Sequence, residues 1–220
     1  MKVNRRAFIK FAGTGIIAVA AGAVVVTRLR WGVAIPARIS LRLAITEALV
    51  EMVDHTSVFH WAFEDLDNQQ HLPQVPGPFI EAIEGDTIEL SLTNNLPDAH
   101  GFRIPGAPGT IGSGIEIAPG KTEGLVFPAP PAGSYLYFDH LNAPVNRVLG
   151  LHGPMVVLPA SGNTPYSNPT PNVQRLFDDL GTTAHFPGEP WKPERSRIWL
   201  FSTVDTTFNA MAERGKSIDA

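Results

Sequence analysis

Residues 76–97 limit the fold of this chain more than any other stretch. Pro76-Gly77-Pro78 is a turn signal, and after Gly85-Asp86 the residues Ile88, Leu90 and Leu92 alternate with Thr87, Glu89, Ser91 and Thr93. A period of two marks a strand with one buried and one wet face, and a helix would scatter those apolar residues around its circumference. Asn94-Asn95-Leu96-Pro97 closes the segment with turn-forming residues. Further short strands are predicted around 101–104, 114–117, 122–127, 133–138 and 150–158, punctuated by Pro119-Gly120 and by Pro130 to Gly133. Several short strands at such spacing make a sandwich or a barrel.

The flanks are less regular. Leu41, Ile45, Leu49 and Met52 have helical spacing, whereas Val58, Phe59 and Trp61 have strand character, so 35–60 reads as a short lead-in followed by a first strand. After Pro159, residues 160–171 are rich in Ser, Asn, Thr and Pro and read as a linker. A short helix over Val173 to Leu180, capped by Asn172, and a strand over Arg197 to Ser202 are predicted beyond it. No internal repeat is visible.

Once an export segment is set aside, the 220 residues suit one sandwich with a tail. Twenty glycines and twenty prolines in a chain that is 44% hydrophobic and 17% charged describe a turn-rich globular protein. A net charge of −4 supplies no basic field for phosphates, so nucleic acid is not an expected partner. The absence of cysteine excludes disulfides and any thiolate-ligated metal within the chain. Arg5-Arg6, followed by Phe8-Ile9-Lys10 and an apolar run from Phe11 to Val26, resembles a twin-arginine export signal. That run is shorter than the ~20 residues of a spanning helix, and Arg28 and Arg30 follow it. Export to the periplasm or beyond is expected, with 1–30 cleaved as a signal or kept as a membrane anchor.

Three linked motifs carry a family resemblance: Val75-Pro76-Gly77-Pro78-Phe79-Ile80, Glu84-Gly85-Asp86-Thr87-Ile88 and Leu92-Thr93-Asn94-Asn95-Leu96. Ile117-Ala118-Pro119-Gly120, Gly133-Ser134-Tyr135-Leu136-Tyr137 and Gly150-Leu151-His152-Gly153-Pro154 continue in the same order. Together they resemble the opening domain of multicopper oxidases. The resemblance implies an all-β, cupredoxin-like (plastocyanin-like) Greek-key β-sandwich over 35–159, behind an N-terminal signal or anchor helix. It also makes 160–220 a linker and the start of a second cupredoxin domain.

In that family the opening domain supplies two histidine pairs to an interfacial copper cluster. Here His100 stands at the first histidine of one pair with Phe102 at the second, and His140 survives from the other pair with Phe138 in place of its companion. The resemblance therefore implies copper held by His100 and His140, with His152 and Asp139 as lesser candidates. Asp139 is read either as a hard oxygen ligand or as the acceptor that orients His140. Burial or a hydrogen bond is the ordinary reading of His152. Met155 lies in an apolar strand and reads as core.

His55, His60, His71 and His185 are read as surface or satisfied residues, and Glu64, Asp65 and Asp67 as a solvated acidic run. The glycines of 106–114 lack the lysine and the strand-to-helix frame of a phosphate loop, and no nucleophile elbow is present. Two functions remain open. One is a copper-dependent oxidoreductase domain completed by a further cupredoxin domain or by homo-oligomerisation and fed by a small electron donor. The other is a copper-free exported module for binding or envelope assembly.

Overall fold

The computed structural model describes residues 36–68, 72–160, 170–172, 175, 197–216 and 218. The N-terminal segment read as a signal lies outside these residues, as do His71, His185 and, apart from Arg175, the helix expected over 173–180.

Ten strands build the domain: β1 Arg38–Glu51, β2 Ser57–Asp65, β3 Pro73–Gln74, β4 Ile80–Ile83, β5 Thr87–Asn94, β6 His100–Phe102, β7 Ile115–Ile117, β8 Thr122–Pro128, β9 Gly133–Phe138 and β10 His152–Leu158. Among the described residues three short helices accompany them: α1 Thr110–Ser113, α2 Val145–Val148 and α3 Thr206–Glu213. One sheet has the order β3-β2-β1-β5-β8, a second β4-β10-β9, and β6 and β7 form a separate ribbon. Within them β1 runs parallel to β5, and β4 parallel to β10.

The alternation in β5 is used as its sequence demands. Ile88, Leu90 and Leu92 are buried with Ile39, Leu41 and Leu43 of the neighbouring β1, against Ile80, Ala82, Met155 and Val157 of the facing sheet. Each such side chain withdrawn from water contributes about 1.5–3 kcal/mol. Asp86 shows why a turn aspartate belongs in front of β5. Its buried carboxylate accepts the backbone N–H of Ala37 at 2.6 Å and of Ile83 at 2.8 Å, tying β1 and β4 to the turn.

Three expectations are corrected. The short lead-in expected ahead of the first strand is itself a strand, because residues 38–51 form β1 despite the helical spacing of Leu41, Ile45 and Leu49. From Thr46 onward β1 pairs only with β2, and Leu49 is 68% exposed, so burial does not set its apolar spacing. Residues 197–205 are not in a strand, and a helix at 206–213 follows, with the Asp205 carboxylate accepting the N–H groups of Thr207 and Phe208. The acidic run is no solvated loop: Glu64 and Asp65 lie in β2, and Asp65 is buried.

Candidate metal centre

The asparagine-rich turn exists to deliver His100. The side chain of Asn94, fully buried, donates to the carbonyls of Asp98 at 2.7 Å and Ile117 at 3.0 Å and accepts from the N–H of Leu96 at 2.9 Å. Every polar atom of that amide is used, so the chain between β5 and β6 has one course. His100 then opens the β6–β7 ribbon, paired with Ile117, while Phe102 pairs with Ile115.

Alternation along the ribbon decides where each ring goes. His100 and Phe102 share the inner face. Phe102 meets Phe63 edge-on at 5.8 Å and stacks on Tyr137 at 5.2 Å, so the phenyl ring in the place of a family histidine is core. Tyr137 is equally buried, with its hydroxyl donating to Pro78 O at 2.6 Å, and burial together with the nearby Asp65 charge raises its pKa. Gly101 and Gly114 lie on the other face, and His140 covers both. A Cβ on Gly101 would stand 2.5 Å from His140 Nδ1, and one on Gly114 2.5 Å from Cε1 of the same ring. The two imidazoles thus meet opposite faces of the ribbon.

Asp139 serves His100 rather than His140. Its Oδ2 accepts His100 Nδ1 and Asn146 Nδ2, each at 2.7 Å, and its Oδ1 accepts the N–H groups of Gly101 at 2.7 Å and Leu141 at 2.9 Å. Four donors saturate this fully buried carboxylate, which leaves it no lone pair directed at a metal. It does fix the imidazole: a carboxylate accepts, so Nδ1 carries the shared proton and Nε2 faces away. His100 Nε2 is buried without a hydrogen-bond partner, and Trp61 lies edge-on to the ring at 5.0 Å. Both residues line a cavity of about 590 Å³ with Glu47, Asp98, Glu213 and Lys216. A histidine held by a carboxylate through one nitrogen and free at the other is the arrangement of a metal-ligating imidazole. Among the described residues no three histidine or carboxylate side chains converge on one point.

The remaining candidates do not line this cavity. Met155 is core, as its strand pattern required. His152 is buried, with Nδ1 2.9 Å from Arg147 O. Phe138 packs under the Arg147 guanidinium, 5.5 Å from its ring centre. His60, read as a surface or satisfied residue, is 1% exposed, with Nδ1 3.0 Å from Leu149 O. Burial, the dominant cause, lowers the pKa of both His60 and His152 against their carbonyl hydrogen bonds.

With that geometry in place, comparison with known proteins is direct. Residues 71–162 match the family model described as multicopper oxidase. Residues 71–162 form a multicopper-oxidase-like cupredoxin domain. Among the relatives of this multicopper-oxidase-like cupredoxin domain is a copper-containing nitrite reductase of Neisseria meningitidis, 29% identical over 133 residues, which span 58% of this chain and 32% of that protein. An L-ascorbate oxidase of Nicotiana tabacum is 37% identical over 94 residues, 38% of this chain and 16% of its own length. The copper nitrite reductase of Nitrosomonas europaea superposes with a TM-score of 0.49 at 22% identity, over 64% of this chain and 54% of that one. The chain thus spans about a third of the Neisseria meningitidis nitrite reductase and less than a fifth of the ascorbate oxidases.

Proposed function

We propose that this domain works in an exported copper oxidoreductase and offers it one nitrogen donor, Nε2 of His100, a residue that lines the 590 Å³ cavity. The remaining copper ligands come from a further cupredoxin domain or a second subunit. The buried, unpartnered Nε2 behind the His100–Asp139 hydrogen bond carries this reading. Copper, when bound, supplies one-electron chemistry between a small donor and oxygen or nitrite. The residues of this chain contribute by binding and orientation: Asp139 fixes the ring and the imidazole tautomer, Asn146 holds Asp139, and Trp61 limits the ring's rotation. The three carboxylates against one ammonium along the cavity favour a cation.

Purified protein loaded with Cu²⁺ should give an electron paramagnetic resonance signal with coupling to one imidazole nitrogen. That coupling should vanish in His100→Ala and persist in His140→Ala. An unchanged signal in His100→Ala defeats the reading.

The saturation of Asp139 favours a second reading, in which the hydrogen-bonded cluster holds the rim together with no metal and the domain is a copper-free exported module. Equal folding stability with copper and with a chelator, and no copper bound, is its signature. Arg5-Arg6 and the apolar run after them support export by the twin-arginine route to the periplasm or beyond, with the N-terminal segment as the contact with the membrane. Arg5→Lys with Arg6→Lys should hold the protein inside the cell.

A further inference from the structure

A second set of buried donor atoms lies behind the rim, between β2, β10 and α3. Five buried side-chain nitrogen or oxygen atoms lack a partner among the described residues, and three of them are His60 Nε2, His152 Nε2 and Asn209 Oδ1. Both histidines are anchored in the same way. His60 Nδ1 lies 3.0 Å from Leu149 O and His152 Nδ1 2.9 Å from Arg147 O, carbonyls two residues apart in the turn that ends α2. A carbonyl only accepts, so each Nδ1 carries the proton and each Nε2 is left with its lone pair. Gly150 brings the two residues together: a Cβ there would stand 3.3 Å from His60 Nδ1, and His152 N–H donates to Gly150 O at 2.8 Å. Asn209 arrives from α3, its Nδ2 donating to Phe59 O at 2.6 Å and lying 3.3 Å from His60 Nδ1.

We propose that His60 Nε2 and His152 Nε2, with Asn209 Oδ1 as the third donor, form a binding site for a monovalent, imidazole-preferring metal cation of the Cu⁺ and Ag⁺ class. All three donors are neutral, so a captured ion keeps its full charge in a buried place. The cost of burying an ion grows steeply with its charge, and the adjacent Arg147 charge adds to it, which selects one charge over two. Imidazole nitrogen suits copper, and a backbone carbonyl on Nδ1 is the ordinary support of a ligating histidine. On its outer side His152 lines a cavity of about 370 Å³ with Arg147, Ser202 and Thr203.

Silver is the probe, since it is redox-inert and monovalent. The full chain, with histidine labelled in nitrogen-15, is titrated with Ag⁺ while the Nε2 resonances are followed. One equivalent should move His60 Nε2 and His152 Nε2 together and leave His100 Nε2 in place. His152→Phe should weaken Ag⁺ binding at least tenfold, His100→Ala should leave it unchanged, and Zn²⁺ should compete poorly. This outcome is independent of the copper proposed at His100. Shifts confined to exposed His55 or to methionine sulfur overturn the proposal, as does a finding that the two nitrogens are held by ordered water and ignore Ag⁺. The labelled wild-type titration decides the matter even where a variant folds badly.

Discussion

Two groups of buried imidazole sit in one domain and are held by different chemistry. His100 leans on the carboxylate of Asp139, whereas His60 and His152 lean on the backbone carbonyls of Leu149 and Arg147. A carboxylate partner supports positive charge on the ring or on a metal beyond it. A carbonyl in an apolar setting fixes the tautomer and leaves burial to disfavour charge. The same side chain is thereby oriented by a charged partner at the rim and by neutral backbone behind it.

Removing the carboxylate should separate the two groups most sharply. Asp139→Ala strands His100 Nδ1, Asn146 Nδ2 and two backbone N–H groups, and should cost about 3–5 kcal/mol in urea unfolding. A loss below about 1 kcal/mol would mean that the cluster is incidental to the rim. Asp139→Asn, which still accepts through one oxygen, should cost less than the alanine variant.

Next in size is Gly101→Ala, whose new methyl meets the His140 ring and should cost about 1–3 kcal/mol. His140→Ala in the same chain should restore much of that loss. A double-mutant cycle with no coupling between the two would place His140 elsewhere than against the ribbon.

Acid should then distinguish the carbonyl-held pair. His60 and His152 have folded pKa values below the unfolded value of 6.5, so the unfolded chain takes up their protons first. Their contribution is fully present above that value and is lost as pH falls from about 6.5 towards the lowered folded values. Urea midpoints at pH 7.5, 6.5 and 5.5 should decline in that order, and His152→Phe should flatten the decline. The smallest effect is expected from Asp205→Ala, which removes the cap of α3 and should cost about 1 kcal/mol. Because α3 carries Asn209 over His60, its fraying should raise the exchange rate of the His60 ring proton.

Much of this was legible in one dimension. Ile88, Leu90 and Leu92 announce a half-buried strand because side chains alternate across a sheet whatever lies beyond it, and β9 falls at 133–138 where the tyrosine-rich segment predicts it. The resemblance to copper oxidases led to His100 and to the two phenylalanines. The long β1 was hidden because its apolar spacing reflects two different neighbours, β5 along one half and β2 along the other. His60 gave no signal, since a strand histidine flanked by aromatics looks the same whether its ring meets water or α3. One clue to α3 was in the chain: Asp205 followed by Phe208 and Ala212 is a capped helix with one apolar face.

The sequence by itself determined the β-rich class, the strand sites and the missing donors, because those follow from side-chain period and from the elements each residue carries. Only the tertiary structure decided which partner each imidazole meets. Whether His100 and His140 share a face depends on ribbon pleating and on which side chains Asp139 accepts from, and these are distances between segments that no spacing along the chain encodes.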